Sequence, residues 1–322
     1  MNLEEEVRAG YTVTTTMKNV WAIELEMAQK VIAVCRRHKL QVWAWRGTLL
    51  GCVRHKGFIP WDDDLDLAML REDYEKLLSL GESEFKSPYF LQTAYSEKSP
   101  YPYGHAQVRK DGTTAVVRYN SYMRYHQGIF IDIFPIDEAP NNDEEYFAFV
   151  DQVNSAFIRL DYWRCGFLYT MRPGMIVNRI KAAFYRLSHN FKDEYRQFDA
   201  LVTRYAGRGS SRVCRMRICK TRRLARERIF DRSLFNSTIM MPFEETELPV
   251  PVGYDKILKA YYGDYMTPVK GVSLHGPYAA LDPYRPYTEY MPMLRHQERS
   301  VFWHKILRKL GLWKGSLGVY EV

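Results

Sequence analysis

The sequence predicts an α+β fold, and three observations carry that expectation. Residues 17–38 repeat apolar side chains at helical spacing: Val20, Trp21, Ile23, Leu25, Met27, Val31 and Ile32. Three short apolar runs bounded by turn residues, at 42–45, 64–69 and 128–135, read instead as buried strands. From about 142 to 230 the pattern is helical and basic, interrupted at Arg172-Pro173-Gly174.

Taken in order, the first helix ends in Arg36-Arg37-His38-Lys39, cations that suit a helix C-terminus. Val42-Trp43-Ala44-Trp45 forms a first strand. Gly47-Thr48 opens a short helix from Leu49 to Arg54, which Gly57 to Pro60 breaks. Asp64 to Met69 is a second strand, and a helix from Glu72 follows it until Gly81. Residues 105–109 and 114–118 are expected to form a hairpin around Lys110-Asp111-Gly112, because Asp-Gly is a strong turn signal. Gly128 to Pro135 is a further buried strand with one carboxylate, Asp132, inside it. Residues 236–265 return to turns and a short helix, Tyr254 to Tyr262. The organisation expected is a core at 1–140, a helical basic insertion at 141–235, a return to the core at 236–295 and an amphipathic basic tail at 296–322.

At 322 residues the chain has ample material for a core, and its 46% hydrophobic and 26% charged residues are ordinary for a globular protein. Aromatic residues reach 15%, with 24 Tyr, which suits grooves for sugars or bases. The start, Met1 to Glu6, is acidic and lacks an apolar run, so no signal peptide is expected, and no stretch approaches the roughly 20 apolar residues of a membrane span. Five cysteines without a C-x-x-C argue against a disulfide framework or zinc site and for a reduced, cytosolic protein.

The net charge of +8 is uneven. Residues 204–228 hold ten Lys/Arg against the single acid Glu227, and 302–315 add Lys305, Arg308, Lys309 and Lys314. The remainder is mildly acidic. In the tail, Trp303, Ile306, Leu307 and Leu310 share one helical side, an interfacial pattern. Either patch could bind an anionic polymer or surface. The expectation here is peripheral contact with an anionic membrane at its inner face, with nucleic acid not expected as partner.

Chemistry concentrates at Trp61-Asp-Asp-Asp-Leu-Asp66. In an extended chain residues two apart lie ~6–7 Å from each other on the same side, so Asp62, Asp64 and Asp66 share a face. Each like-charged pair at that distance costs on the order of 2 kcal/mol at an effective dielectric near 20. A divalent metal would neutralise them. Asp63, on the opposite face, reads as structural. Asp132, between Ile131 and Ile133, would be costly to bury without a role. Asp64, Asp66 and Asp132 can converge on one or two Mg²⁺ (or Mn²⁺) ions, with Asp62 as an outer ligand, and Mg²⁺ leaves positions open for phosphate. Gly47-Thr48 at a helix start offers backbone N–H groups to a phosphate. Arg54, Lys56 and Arg109 are candidates for the donor's phosphates.

The ordered set Gly47-Thr48, Asp64-Leu-Asp66 and Ile131-Asp132-Ile133 resembles the nucleotidyltransferase superfamily typified by DNA polymerase beta. The run Gly47-Thr-Leu-Leu-Gly-Cys-Val-Arg-His-Lys-Gly-Phe-Ile-Pro-Trp-Asp-Asp-Asp-Leu-Asp-Leu67 is similar to the signature of the LicD family, which includes phosphorylcholine transferases and, in animals, fukutin and fukutin-related protein. Gly128-Ile-Phe-Ile-Asp-Ile-Phe-Pro-Ile-Asp137 resembles that family's second block. Leu248-Pro-Val-Pro251 with Tyr262-Gly-Asp-Tyr-Met-Thr-Pro268 resembles its third. Arg46 stands where the family more usually has a small or aromatic residue, and Gln107 where it has lysine.

The resemblance implies a nucleotidyltransferase-like mixed sheet and transfer of a phosphorylated small group, most simply phosphocholine, from a CDP-activated donor. The acceptor would be a hydroxyl of a cell-surface glycan or lipid-linked glycan precursor, CMP would leave, and Asp132 would double as general base. His275 falls where the family tends to carry a histidine and joins the substrate-binding candidates. Two other readings stand beside this one: a true nucleotidyltransferase using an NTP on a small molecule or RNA, and a non-catalytic scaffold for anionic polymers.

Overall fold

The computed structural model describes residues 1–117, 120, 123–164, 176–269, 271, 278–296, 307, 311 and 312. An N-terminal hairpin, β1 (Glu6–Arg8) and β2 (Tyr11–Val13), leads into α1 (Thr15–Arg37). Thr14 caps α1 by accepting from the Met17 amide at 3.3 Å, and Arg36 and Arg37 occupy its last turn. The apolar stripe read from the sequence is the buried face: Val20, Trp21, Met27, Val31 and Val34 all lie against the sheet core.

That sheet is built around one long strand. It comprises β3 (Trp43–Ala44), β4 (Asp66–Leu70), β5 (Tyr89–Gln92), β6 (Ala106–Lys110), β8 (Phe130–Ala139), β9 (Arg212–Cys214) and β10 (Ile229–Asp231); β7 (Thr114–Val117) lies outside it. All ten residues of β8 are buried, including the carboxylates Asp132, Asp137 and Glu138, as befits a strand covered on both faces. It pairs parallel with β4, in the register Asp66 to Asp132, and antiparallel with β6 and β9. The protein is therefore α+β with a mixed sheet.

Between β3 and β4 the chain forms α2 (Arg46–Leu50), which widens into a π turn at Gly51–His55. A helix was expected from 49 to 54, and the structure moves its start forward to Arg46. After β4, α3 (Arg71–Glu84) opens with Glu72 and Asp73 in its first turn, where acids are favoured.

The turn at Gly112 forms, with φ at +72°, but the expected hairpin does not. β6 stays in the main sheet, whereas β7 pairs with β13 (Tyr278–Asp282) in a separate two-stranded ribbon. Thr113 explains the parting. Its hydroxyl donates to Lys110 O and accepts from the Ile129 amide, so β8 closes beside β6 and steers residues 114–117 away.

The helical stretch contains α4 (Asp143–Arg164), α5 (Ile176–Ser188), α6 (Phe191–Val202) and a short α7 (Arg222–Arg226). α4 and α6 bury a second core around Phe149, Val153, Leu160 and Phe198. Beyond residue 202 the helical expectation holds only at α7, since β9 and β10 return the chain to the main sheet. The strands β11 (Thr238–Phe243) and β12 (Thr246–Pro251) pair as a hairpin where turns were expected, and α8 (Tyr254–Tyr262) occurs as read. The tail 302–315 falls outside the described residues except at 307, 311 and 312. Among the described residues no helix is long and apolar enough to cross a membrane.

Candidate active site

β3, α2 and the start of β4 form a clamp. The Trp45 amide donates to Asp66 O at 2.9 Å, and the Asp66 amide donates to the Thr48 hydroxyl at 2.8 Å. Thr48 is thus buried and holds the strand that carries the acids. Gly47 acts through its lack of a side chain. A Cβ there would stand 2.5 Å from Asp62 Oδ2, so its absence lets that carboxylate rest on α2. Trp21 Nε1 donates to Asp62 O at 3.1 Å and ties the acidic run to α1.

Asp62, Asp64 and Asp66 line one cleft together with Arg46, Gly47, Arg54 and Trp61. The third motif block closes its far side through Tyr262, Asp264, Tyr265 and Thr267, and Arg54 Nη1 donates to Tyr265 O at 2.6 Å. Asp132 stands beside Asp66 on the neighbouring strand. Asp63, read as structural, is buried beneath, yet it offers an oxygen within 4.8 Å of oxygens of Asp62 and Asp64.

Burial, and next the charge of Asp132, push the Asp66 carboxyl up to about 7, against the pull of Arg46 and Arg215. Burial likewise raises Asp64, with Asp66 adding to it. Asp66 Oδ1 is buried with no hydrogen-bond partner among the described residues.

Asp132 is held from behind. Gln107 Nε2 donates to its Oδ1 at 2.6 Å, and Arg109 Nη2 donates to Gln107 Oε1 at 2.6 Å. Arg109 also donates to Gln92 Oε1 and Gly128 O while lying over the Phe130 ring. It is 4% exposed, so it supports the site from inside the sheet rather than facing substrate. Lys56, in the left-handed region at φ +58°, donates to Val53 O and does not line the cleft. His275 lies outside the described residues.

Several site residues carried no signal that sequence reasoning used. His105 Nε2 lies 3.3 Å from Asp132 Oδ1, and its burial holds the imidazole below the ordinary histidine range. Glu24, on the inner face of α1, is a further buried carboxylate, raised by burial and then by Asp63. Most consequential are the cations. Arg46 extends from the acid cleft into an adjoining hollow lined by His105, Arg215 and Arg217. Arg215 lies over the Phe134 ring, and burial together with Arg46 and Arg217 lowers its hold on its proton. Arg215 and Arg217 come from the basic segment at 204–228, just past β9, which its pairing with β8 delivers to the site.

Carboxylates and arginines thus meet at one cleft and at the hollow that Arg46 joins to it. Residues 39–159 match the domain family described as LicD/FKTN/FKRP, nucleotidyltransferase domain. The chain carries a LicD family domain. It is similar to the lipopolysaccharide cholinephosphotransferase LicD of Haemophilus influenzae, at 27% identity over 270 residues, covering 78% of this chain and 91% of that relative. Uncharacterized proteins of Rickettsia prowazekii and Rickettsia typhi match a shorter stretch of 37 residues at 51% identity, 12% of this chain and 14% and 12% of theirs.

Proposed function

We propose that this protein is a LicD-type phosphotransferase that moves a phosphorylated small group, most simply phosphocholine, from a CDP-activated donor to a hydroxyl of a cell-surface glycan or its lipid-linked precursor. The observation that carries this reading is the pairing of the Asp62, Asp64, Asp66 and Asp132 carboxylates with a facing wall of Arg46, Arg215 and Arg217. The match to a cholinephosphotransferase along most of the chain supports the same class of reaction. On this reading the core is nucleotidyltransferase-like, of the DNA polymerase beta type, and the enzyme works in the cytoplasm or peripherally on the inner membrane face.

The residues present fit a hard divalent cation. They are all oxygen donors, Asp62, Asp63 and Asp64 offer oxygens within 4.8 Å of each other, and Asp66 Oδ1 is buried without a partner among the described residues. Asp62, Asp64, Asp66 and Asp132 are the residues that would hold Mg²⁺ or Mn²⁺, which when bound offsets charge on the transferring phosphoryl group. Arg46, Arg215 and Arg217 hold the donor's phosphates, with Arg54 at the cleft's other side. The acceptor oxygen attacks the phosphorus nearer the head group and gives its proton to Asp132 Oδ2. The bond from that phosphorus to the bridging oxygen breaks, and CMP leaves with the bridging oxygen and its electron pair. Gln107 donates to Asp132 Oδ1, which is why the proton is assigned to Oδ2.

The test is product release by purified enzyme with Mg²⁺ and a panel of donors, wild type against Asp64→Ala. Metal-dependent CMP from CDP-choline, lost in the variant, is the expected result. Pyrophosphate released from an NTP would replace this reading with a nucleotidyltransferase.

A further inference from the structure

α5 is folded inside out relative to an ordinary surface helix. Its strongly apolar side chains point away from the protein: Val177, Ile180, Phe184 and Leu187 are 61%, 45%, 68% and 84% exposed. At 100° per residue these four fall within roughly 80° of arc. The inward face is made instead by Arg179 and Ala182, both buried, and by Tyr185. This orientation is anchored. Tyr185 donates to Glu194 of α6, Arg159 of α4 donates to the same carboxylate at 2.6 Å, and the Tyr185 ring packs on Tyr162 with centroids 5.3 Å apart.

Charge narrows what covers the stripe. Between 176 and 188 there is no acid, and the exposed Lys181 borders the apolar arc, whereas Arg179 is buried on the inward face and Arg186 donates to Ala182 O. A second copy of the same helix laid on this face would bring like charges together. An anionic lipid surface satisfies both parts, since it takes apolar side chains below its headgroups and cations among them. Position adds to this. Asp161 and Arg164, either side of Tyr162 on the last turn of α4, line the hollow that holds His105 and Arg215. The outward stripe is thus attached to the rim of the site. The basic segment 204–228 is less available, because Arg212 is bonded to Asn141 O and Asp143, Arg223 to Glu227, and Arg215 and Arg217 face the hollow.

We propose that α5 is a membrane-docking helix that lays Val177, Ile180, Phe184 and Leu187 into an anionic bilayer surface beside the active-site mouth. The docking rests on α5 alone and does not require the donor chemistry above. It is tested by flotation of the full chain with phosphatidylcholine vesicles, with and without phosphatidylglycerol, comparing wild type with Phe184→Glu/Leu187→Glu. The expected result is that wild type floats with the anionic vesicles and that the double variant binds them at least about tenfold more weakly. Lys181→Gln should lose a smaller part of the binding. Thermal unfolding should be unchanged in all three proteins, and CMP release toward a soluble acceptor should be equal, which separates failure of docking from failure of the catalytic reading. Wild type that ignores anionic vesicles, or a double variant that binds them equally well, would overturn the proposal. So would light scattering in which the double variant converts a dimer to a monomer.

Discussion

Gln107→Leu isolates the support beneath Asp132. The Gln107 side chain is 5% exposed and its amide nitrogen stands 2.6 Å from Asp132 Oδ1, itself in a residue 7% exposed. A hydrogen bond to a charged group is worth about 1.5–3 kcal/mol, and a buried carboxylate that loses its donor forfeits that stabilisation. Leucine also leaves Arg109 Nη2 without the oxygen that accepts from it at 2.6 Å. The variant should therefore be less stable by about 2–3 kcal/mol, read by urea unfolding as a lower midpoint with unchanged slope. Asp132 should bind its proton more tightly, because the donor that favours its charged form is gone. In a CMP-release assay the acidic limb of kcat should move to higher pH, with KM for the donor unchanged, because Gln107 lies behind Asp132. Gln107→Lys, which still donates to Asp132 but cannot accept from Arg109, should restore only part of the stability. A leucine variant with wild-type stability and an unmoved pH profile would refute the assignment of Gln107 as the residue that positions Asp132.

Asp66→Asn should abolish transfer while making the cation-free protein more stable, by on the order of 2 kcal/mol, since it removes one of two adjacent buried charges; differential scanning calorimetry in chelator reads the sign. Arg71→Met strips the partner from Asp137, a carboxylate 1% exposed and bonded to Arg71 Nε at 2.6 Å, and should cost about 3–5 kcal/mol in denaturant unfolding. Burial lowers the His126 imidazole to about 4, and its Nδ1 already accepts from the Gly128 amide. The unfolded chain therefore binds the proton first, and the stability this histidine contributes, at most about 3 kcal/mol, is present above pH 6.5 and lost as pH falls toward 4. His126→Gln should flatten that limb in unfolding measured across pH 4 to 7, and an unchanged slope would count against the assignment.

The acids were legible because charge repulsion along an extended chain is a local property. Alternation at Asp62, Asp64 and Asp66 and an acid flanked by isoleucines at 132 both announce themselves without knowledge of the fold. The helix at 15–37 and the strands at 43–44, 66–70 and 130–139 likewise follow from local period and apolar runs. What stayed hidden depends on pairing. The Asp-Gly turn at 111–112 forms, but only the placement of β8 decides that the strands on either side of it enter different sheets. Arg109 looked like a phosphate ligand because a guanidinium binds phosphate well; its register opposite Phe130 in the antiparallel pair instead buries it. Arg215 and Arg217 read as part of a solvated basic run, and nothing short of the β8–β9 ladder shows them turned toward Asp66 and His105. The direction in which α5 faces is equally invisible in its period, which is the same for a helix turned inward or outward.

The register of β9 on β8 has a consequence for assembly. The matched domain at 39–159 holds Asp62, Asp64, Asp66 and Asp132 together with Arg46, while Arg215 and Arg217 arrive more than eighty positions after Asp132. A growing chain that has completed its first 160 residues therefore carries a nest of mutually repelling acids and only Arg46 of the cationic wall. Such long-range closure is slow, because loop entropy must be overcome before the contacts repay it. The catalytic cleft is thus a late product of folding, complete only when the strand after the helical hairpins reaches its place. A chain cut between α6 and β9 would supply one half of the cleft and leave the other to be added from a second fragment.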